Sequence, residues 1–389
     1  MTALRPILFN DITLRDGEQS PGVNFFPEEK LGIARALADL RIPIIEAGFS
    51  AASEADWAGV NLVARELGGE DGPIICSMCR AHIGDIDAAY ESLRPAARPR
   101  IQVVLATSDL HLEVKLKMTR DQALAKIAEA VAHARSLVED VEFAAEDATR
   151  SDPDFLHTCF KVALENGART LEIPDTVGYA TPADYTAIVQ GVIARVPGAD
   201  KATIAVHCHD DLGLATANTL AGLAAGAGQA ECTINGIGER AGNAAFEEVV
   251  MALKTRPGQF GVDADIDTTR ITAASRLVAE LAHMAVAPNK AIVGRNAFRH
   301  GSGIHQHGMV CNSATYQVLR PEAVGAPHFS LELGKLSGKH ALQQRLGQLG
   351  IDLDGPAFDK FYGAFKTLAA RKKVIVDEDV VNLAHHVAG

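Results

Sequence analysis

Three polar blocks of the sequence carry side chains that could bind a divalent cation. Asp16 lies in T-L-R-D-G-E-Q-S-P-G, His207 and His209 lie in H-C-H-D-D-L-G, and Asn243 lies in G-I-G-E-R-A-G-N. His207 and His209 are two residues apart, so on an extended segment both imidazoles point to the same face. A carboxylate, two imidazoles and an amide oxygen suit Mg²⁺, Mn²⁺ or Zn²⁺ and leave positions open for a substrate. We therefore predict a divalent-metal site.

Other polar residues could supply acid, base or charge near such a site. Gly17 permits a sharp turn that presents the Arg15 guanidinium, which can stabilise a developing oxyanion. Glu146 is either an acid/base group or an ordinary ion-pair or helix-capping residue. The segment H-G-S-G-I-H-Q-H-G, which contains His305 and precedes Tyr316, is either a flexible surface loop or a mobile lid that carries a general base.

The elements that position these residues follow a strand–helix alternation over the first ~255 residues. Eight such strands favour an α/β fold of the (β/α)8 TIM-barrel type, since the first strand lacks the G-x-G-x-x-G turn of a dinucleotide-binding sheet. In TIM barrels the chemistry lies at the carboxyl ends of the strands, where the polar blocks occur. The predicted strands span residues 7–13, 42–47, 73–78, 101–106, 141–145, 170–173, 203–206 and 231–235.

Beyond the barrel the hydrophobic period changes and becomes mostly helical. We predict a barrel domain at 1–262, a linker and lid subdomain at 263–330 that carries H-G-S-G-I-H-Q, and a helical C-terminal subdomain at 331–389. The last region is expected to lack a large core of its own and to pack on the barrel mouth or on a partner subunit.

Composition excludes several classes of function. The formal charge of −12 argues against nucleic-acid binding, which requires concentrated Lys and Arg. The chain has no run of 18 or more apolar residues, so no membrane span is predicted, and the N-terminus has no apolar signal segment. Six scattered cysteines indicate a cytoplasmic protein with reduced thiols, and Cys76 and Cys79 are expected to be buried strand residues.

Five motifs together give a specific resemblance. The chain contains T-L-R-D-G-E-Q-S-P-G, H-C-H-D-D-L-G, C-T-I-N-G-I-G-E-R-A-G-N-A, N-K-A-I-V-G and S-G-I-H-Q. It resembles, over essentially its whole length, the metal-dependent Claisen-condensation barrel enzymes, which include 2-isopropylmalate, homocitrate and citramalate synthases. The block that begins at Cys232 is most similar to the 2-isopropylmalate synthase branch, which implies condensation of acetyl-CoA with 2-oxoisovalerate in leucine biosynthesis.

The resemblance implies roles for individual residues. Asp16, His207, His209 and Asn243 would be the metal ligands, and Thr176 would hold the substrate carboxylate. Arg15 would polarise the keto oxygen, and His305, with Glu146 as a relay, would deprotonate the acetyl-CoA methyl group. A homodimer is implied, in which His305 and Tyr316 reach the active site of the partner subunit. The remaining residues implied to contact the substrate are Gln19, His111, Glu142, Ala144 and Glu172.

Three positions bear on which 2-oxo acid is used. Glu142 stands where the homocitrate branch has an Arg that meets the distal carboxylate of 2-oxoglutarate, so its carboxylate is expected to repel that substrate. Ala144 replaces a Ser and Glu172 replaces an Asn, changes that could admit a larger or more polar acid or reflect drift in a tolerant pocket. We predict a preference for branched or bulky apolar 2-oxo acids over 2-oxoglutarate.

Two other classes of function share part of this pattern. A lyase could use the same barrel and metal in the retro direction, on 3-hydroxy-3-methylglutaryl-CoA or a 4-hydroxy-2-oxo acid, but such enzymes lack the S-G-I-H-Q lid. A non-catalytic metal-binding protein would conflict with Arg15, Glu146, His305 and Tyr316 occurring together. The sequence lacks the leucine-binding domain of full-length 2-isopropylmalate synthases, so strong feedback inhibition by leucine is not expected.

Overall fold

Eight parallel strands close into a barrel in the computed structural model, which describes residues 4–327, 330–331 and 333–388. Each strand pairs with its neighbour in chain order, and the first pairs with the last. The predicted (β/α)8 fold is therefore confirmed. The strands are β1 (Leu8–Asp11), β2 (Ile44–Gly48), β3 (Ile74–Arg80), β4 (Pro99–Ala106), β5 (Asp140–Glu146), β6 (Thr170–Asp175), β7 (Thr203–Cys208) and β8 (Gln229–Cys232).

A helix follows each strand and covers the outside of the barrel. Several begin at a side chain that caps the first turn; Ser53, for example, accepts a hydrogen bond from the Asp56 N–H at 3.0 Å. Among the described residues, no helix is long and apolar enough to cross a membrane. These helices are α1 (Pro27–Asp39), α2 (Glu54–Leu67), α3 (Ile83–Leu93), α4 (Arg120–Leu137), α5 (Pro153–Glu165), α6 (Pro182–Arg195), α7 (Ala215–Ala225) and α8 (Phe246–Thr255).

Alternation along each strand separates an apolar layer from a polar interior. Phe143 of β5 points outward and packs edge-on against Phe160 of α5, with ring centroids 6.2 Å apart. The neighbouring residues of β5 point into the barrel, where they meet polar side chains of other strands. The interior of this barrel is therefore rich in buried carboxylates and amides rather than in branched aliphatic residues.

The last strand begins and ends earlier than the sequence pattern indicates, at Gln229–Cys232 instead of 231–235. It cannot extend to residue 235, because Asn235 adopts a left-handed conformation with φ of 64°, which is incompatible with a strand. The chain turns there and returns to place Asn243 beside His209 in an isolated antiparallel bridge. This turn brings the third polar block of the sequence to the carboxyl ends of the strands.

The chain forms two compact units, Met1–Val286 and Ala287–Gly389. Helix α9 (Ile271–Leu281) belongs to the first unit and contacts α1, so this unit extends beyond the predicted barrel boundary at 262. The second unit contains α10 (Gly303–Cys311), α11 (Lys339–Gln348), α12 (Gly355–Arg371) and α13 (Asp377–Ala388).

The second unit has its own hydrophobic core, contrary to our expectation from the sequence. Phe361 and Phe365 of α12 are fully buried, with ring centroids 6.3 Å apart. Leucines of α11 and small residues of α13 pack around them. The core depends on contacts between three helices, each of which contributes only two to four of its residues, and the sequence does not show which helices meet. These residues are Leu342, Leu346, Phe358, Phe361, Phe365, Ala369, Val380 and Ala384.

The cysteines of the strands are buried as free thiols. Cys76 and Cys79 lie on β3 and are inaccessible to solvent, as predicted. Burial raises the pKa of the Cys76 thiol well above its ordinary value, so it stays protonated and unreactive. The C-x-x-C spacing is therefore structural in this chain.

Candidate metal centre and active-site pocket

The four predicted metal ligands meet at the carboxyl end of the barrel. Asp16, His207 and His209 each offer a ligand atom, and these atoms all lie within 4.8 Å of one another. Asn243 joins them: its amide oxygen lies 2.9 Å from His207 Nε2, and its amide nitrogen donates to Asp16 Oδ1 at 2.6 Å. All four residues are buried. The structure therefore brings together residues from opposite ends of the barrel sequence.

The spacing of these atoms fits one divalent ion. Two ligands about 2.1 Å from an ion and at right angles to each other are separated by roughly 3 Å, close to the 2.9 Å between His207 Nε2 and Asn243 Oδ1. Gly238 keeps the space open, since a Cβ there would collide with the Asn243 amide and stand 2.8 Å from Asp16 Oδ1. The residues present therefore fit a divalent metal.

A buried lysine fixes the loop that carries Asp16. The backbone of Gly17 donates to the Ile12 carbonyl at 3.1 Å and turns the chain after β1. Lys30 of α1 donates to Glu18 Oε2 at 2.7 Å and to the Leu14 carbonyl at 3.4 Å. Since these bonds tie both sides of the turn to one helix, Asp16 is held by elements outside the barrel interior.

The charge of Asp16 is stabilised by its surroundings. Burial alone would raise the pKa of this carboxyl, but the hydrogen bond from His209 and the charge of Arg15 outweigh it and hold the pKa well below its usual range. His209 Nε2 lies 3.3 Å from Asp16 Oδ1. Asp16 is therefore ionised at neutral pH, as a metal ligand must be.

Arg15 is held between two carboxylates at the base of the pocket. Its Nη1 donates to Asp16 Oδ2 at 2.8 Å and its Nε donates to Glu46 Oε1 at 2.9 Å. Burial raises the pKa of Glu46 to about 7, although the charge of Arg15 acts in the opposite direction. The guanidinium is thus oriented beside the metal ligands, where it can stabilise a developing oxyanion.

A cavity of about 440 Å³ opens above these residues. Its size suits a small-molecule substrate. Gln19, Ala144, Glu146, Glu172 and Thr176, which the sequence assigned to substrate binding or catalysis, line it. One part of its wall is apolar and is formed by Phe49, Met78, Val104, Ala144 and Pro174.

Glu146 and Thr176 face the cavity with defined partners. Lys115 Nζ donates to Glu146 Oε1 at 2.6 Å, and His111 Nδ1 stands 3.3 Å from the same oxygen without the geometry of a hydrogen bond. The Thr176 hydroxyl accepts a hydrogen bond from the Asp147 N–H at 2.9 Å. The hydroxyl hydrogen of Thr176 is not used in this bond and can be donated to a substrate carboxylate.

Glu142 does not line the cavity, so the expectation that it repels a distal carboxylate is wrong on this structure. It is fully buried deeper in the barrel, where Arg100 donates to its Oε2 at 2.9 Å and Gln229 donates to its Oε1 at 3.1 Å. Strand alternation places residues 142, 144 and 146 on one face, but only the last two reach the mouth.

His305 and Tyr316 lie in the second unit. His305 is part of α10, a regular helix, and its ring stacks on Tyr316 with centroids 4.3 Å apart. Both side chains are exposed, and Tyr316 retains 44% of its accessible surface. The two residues therefore lie together within one unit, with both side chains exposed.

Two residues that contact the site were missed from the sequence. Lys115 lies in a short irregular helical segment, Leu112–Leu116, where nothing in the pattern predicts a contact with Glu146. Gln102 of β4 donates to Glu172 Oε2 at 2.8 Å. A signal for Gln102 did exist, because a polar residue at an inward position of a barrel strand must find a buried partner.

Two family models match the chain. The HMGL-like family model matches residues 6–278, and the homocitrate synthase post-HMGL domain-like model matches residues 292–373. The chain is 51% identical over 376 residues to 2-isopropylmalate synthase of Aquifex aeolicus, and 53% identical over 385 residues to that of Synechocystis sp.. Each alignment covers 96% of this chain and 72% of the relative.

The chain therefore belongs to the HMGL-like family of barrel enzymes. Within that family, its relatives at about half identity are 2-isopropylmalate synthases.

Solved structures share the barrel at much lower sequence identity. The HMG-CoA lyase from Pseudomonas aeruginosa is 19% identical, with a TM-score of 0.62, and its match covers 73% of this chain and 94% of the lyase. The lyase from Brucella melitensis is 18% identical, with a TM-score of 0.61, and covers 72% of this chain and 99% of the lyase. At this identity the likeness concerns the fold alone.

Proposed function

We propose that this enzyme is an acyltransferase that condenses acetyl-CoA with 2-oxoisovalerate to form 2-isopropylmalate and CoA. The observation that carries the proposal is the buried cluster of Asp16, His207, His209 and Asn243 beside Arg15, open to a cavity with an apolar wall. The 2-isopropylmalate synthases to which the chain is about half identical support the reaction and its place in leucine biosynthesis.

The residues of the cavity would bind and orient the 2-oxo acid. The Thr176 hydroxyl would donate to its carboxylate, and Arg15 would donate to its keto oxygen. When bound to the four-residue cluster, a divalent ion supplies Lewis-acid polarisation of that keto group. Gln19 and Ala144 would contact the remainder of the substrate, since both line the cavity.

The condensation forms one carbon–carbon bond and releases one thiol. His305 would accept a proton from the methyl group of acetyl-CoA, with Glu146 as a relay, and the resulting carbanion would attack the keto carbon. The electron pair of the keto bond moves to oxygen, where Arg15 stabilises the charge until a proton is taken up. Water then cleaves the thioester C–S bond, which gives a carboxylate and the CoA thiol.

A homodimer is part of this proposal. His305 and Tyr316 would act in the active site of a second copy of the chain, as the family resemblance implies. Their exposure and their mutual stacking at 4.3 Å support a role at a surface that another molecule covers. The free, buried cysteines are in keeping with a cytoplasmic enzyme.

The pairing of charges in the cavity supports an apolar substrate. A distal carboxylate, as in 2-oxoglutarate, requires a free cation, and none lines the cavity among the described residues. Each cation there already has a carboxylate partner: Arg15 has Asp16 and Glu46, Arg80 has Asp85, Lys115 has Glu146, and Arg240 has Asp211.

A screen of substrates tests the function. CoA-thiol release would be measured with acetyl-CoA and a panel of 2-oxo acids, in Mg²⁺ and in Mn²⁺. We expect kcat/KM for 2-oxoisovalerate to exceed that for 2-oxoglutarate by at least about tenfold, since an unpaired buried charge costs more than 1.4 kcal/mol. Equal turnover of 2-oxoglutarate would disprove the selectivity.

A second arm of the screen separates the reaction classes. Incubation with 3-hydroxy-3-methylglutaryl-CoA, without a 2-oxo acid, reports lyase activity through acetoacetate formation. Cleavage of its carbon–carbon bond to acetoacetate and acetyl-CoA, together with no acetyl-CoA-dependent CoA release, would replace the synthase proposal with a lyase of the same barrel.

A further inference from the structure

We propose that Glu172 positions His207 for metal binding rather than contacting the substrate, an inference that rests on the metal site of the proposed function. Its Oε1 lies 2.8 Å from His207 Nδ1, and its Oε2 accepts a hydrogen bond from Gln102 Nε2 at 2.8 Å. An ionised carboxylate only accepts, so Nδ1 must carry the hydrogen in this pair. The other ring nitrogen, Nε2, is then directed at the metal cluster.

The position of Glu172 in the barrel explains this contact. In the ladder between β6 and β7, Pro174 is opposite His207 and Glu172 is opposite Ala205, so Glu172 lies one inward layer below the imidazole. Gln102 holds the second carboxylate oxygen from β4, and Glu172 is 2% exposed. Since His207 and Gln102 each contact one oxygen, the carboxylate is held in place and is not available to bind the substrate.

An outer carboxylate of this kind does two things for a ligand. It fixes the tautomer and the orientation of the ring, and it makes the metal-binding nitrogen more basic. Glu172 should therefore raise the affinity for divalent ions, with no requirement for substrate.

A second ion site beneath the first is the competing interpretation. Glu172, His207 and Glu231 also form a compact group, and Glu231 Oε2 lies 3.6 Å from His207 Nδ1. An ion there would require both nitrogens of one ring to bind metal, and therefore the loss of the Nδ1 hydrogen. The 2.8 Å contact between that nitrogen and Glu172 favours the orienting role.

Titration calorimetry with Mn²⁺ on metal-free protein, without acetyl-CoA or 2-oxo acid, tests the proposal. Glu172→Ala removes the contact, and we expect the Kd for Mn²⁺ to rise by about 10- to 100-fold. Glu172→Gln keeps an oxygen for His207 Nδ1, and the unpartnered Oε1 of Gln102 can accept from the new amide once the Gln102 side chain flips. We expect this variant to lose less than about tenfold.

Glu142→Gln is the matched control, since Glu142 is equally buried but makes no contact with His207. Thermal unfolding in EDTA confirms that each variant is folded. A folded Glu172→Ala variant with unchanged Kd, or an equal loss in the control, overturns the positioning role. Binding of two ions per wild-type chain also overturns it, and no binding by the wild type overturns the metal site itself.

Discussion

The histidines proposed to act in the barrel are buried, whereas the histidine proposed to act in the second unit is exposed. His207 and His209 are 4% and 7% exposed and are fixed by Glu172, Asn243 and Asp16. His305 is exposed and stacks on Tyr316 within a separate unit. A nitrogen that binds metal must be held in one place, whereas a nitrogen that exchanges protons with a substrate needs access to it. Burial thus distinguishes the two proposed roles before any assay.

The largest expected effect comes from the buried side of this comparison. Asp16→Asn removes the only carboxylate of the metal cluster while preserving its shape, so both metal binding and catalysis should fail. We expect kcat/KM for CoA release to fall by about 10³-fold or more, since metal polarisation contributes several kcal/mol. Calorimetry with Mn²⁺ should show the matching loss of affinity. Near-wild-type activity in the variant would mean that Asp16 is not a ligand.

An intermediate effect is expected on the exposed side. His305→Ala removes the proposed general base, and kcat should fall by about 10²-fold. The Kd for Mn²⁺ should stay within about twofold of the wild type, because His305 is not among the metal ligands. His307→Ala, on the same helix α10, is the control and should keep its activity. Full activity of the His305 variant, measured by CoA release, would remove His305 from the mechanism.

A smaller effect concerns the buried carboxylates, which among the described residues lie in the first unit. Burial raises the pKa of Asp11 to about 7, above the value of 3.8 of an unperturbed carboxyl. Below pH 3.8 this carboxyl is protonated in both the folded and the unfolded chain. As pH rises toward 7 the unfolded chain ionises first, so stability is lost with rising pH by about 1.4 kcal/mol per unit, or tenfold in the folding constant.

Asp11→Asn should abolish this part of the pH dependence. The amide oxygen can still accept from the Thr13 N–H, which bonds Asp11 Oδ1 at 2.9 Å. Urea unfolding should therefore show the variant gaining about 1.3 kcal/mol on the wild type between pH 5 and 6. The gain should be about 1 kcal/mol between pH 6 and 7, where the folded carboxyl begins to ionise. Asp265→Asn, whose wild-type side chain is 89% exposed, is the control and should track the wild type. Parallel curves for Asp11→Asn would mean that this carboxyl is ionised throughout.

The sequence predicts the parts of the molecule that depend on local pattern. Strand alternation gives eight strands, and turns after the strands bring Asp16, His207 and Asn243 to one end. The sequence does not predict contacts between side chains across the barrel, because those contacts depend on how far each strand is staggered against the next. For this reason Glu142 was assigned to the mouth although it pairs with Arg100 in the interior.

The same limit explains the second unit. Its core forms where three helices meet. The apolar stripe of α12 indicates that this helix buries one face, but not which helices pack against it. The contact of Glu172 with His207 was also beyond the sequence, since it joins neighbouring strands through side chains at different heights. In both cases the missing information is tertiary geometry rather than residue type.

The paired cations of the cavity have a consequence for how its selectivity could change during evolution. Arg80 faces the cavity at the end of β3, and Asp85 occupies its guanidinium through two hydrogen bonds of 2.6 and 3.1 Å. A descendant that acquires dicarboxylic substrates would therefore not need a new positive residue. Loss of one negative residue, Asp85, would release a cation that the ancestor already carries, so the route to a new substrate is a deletion of charge.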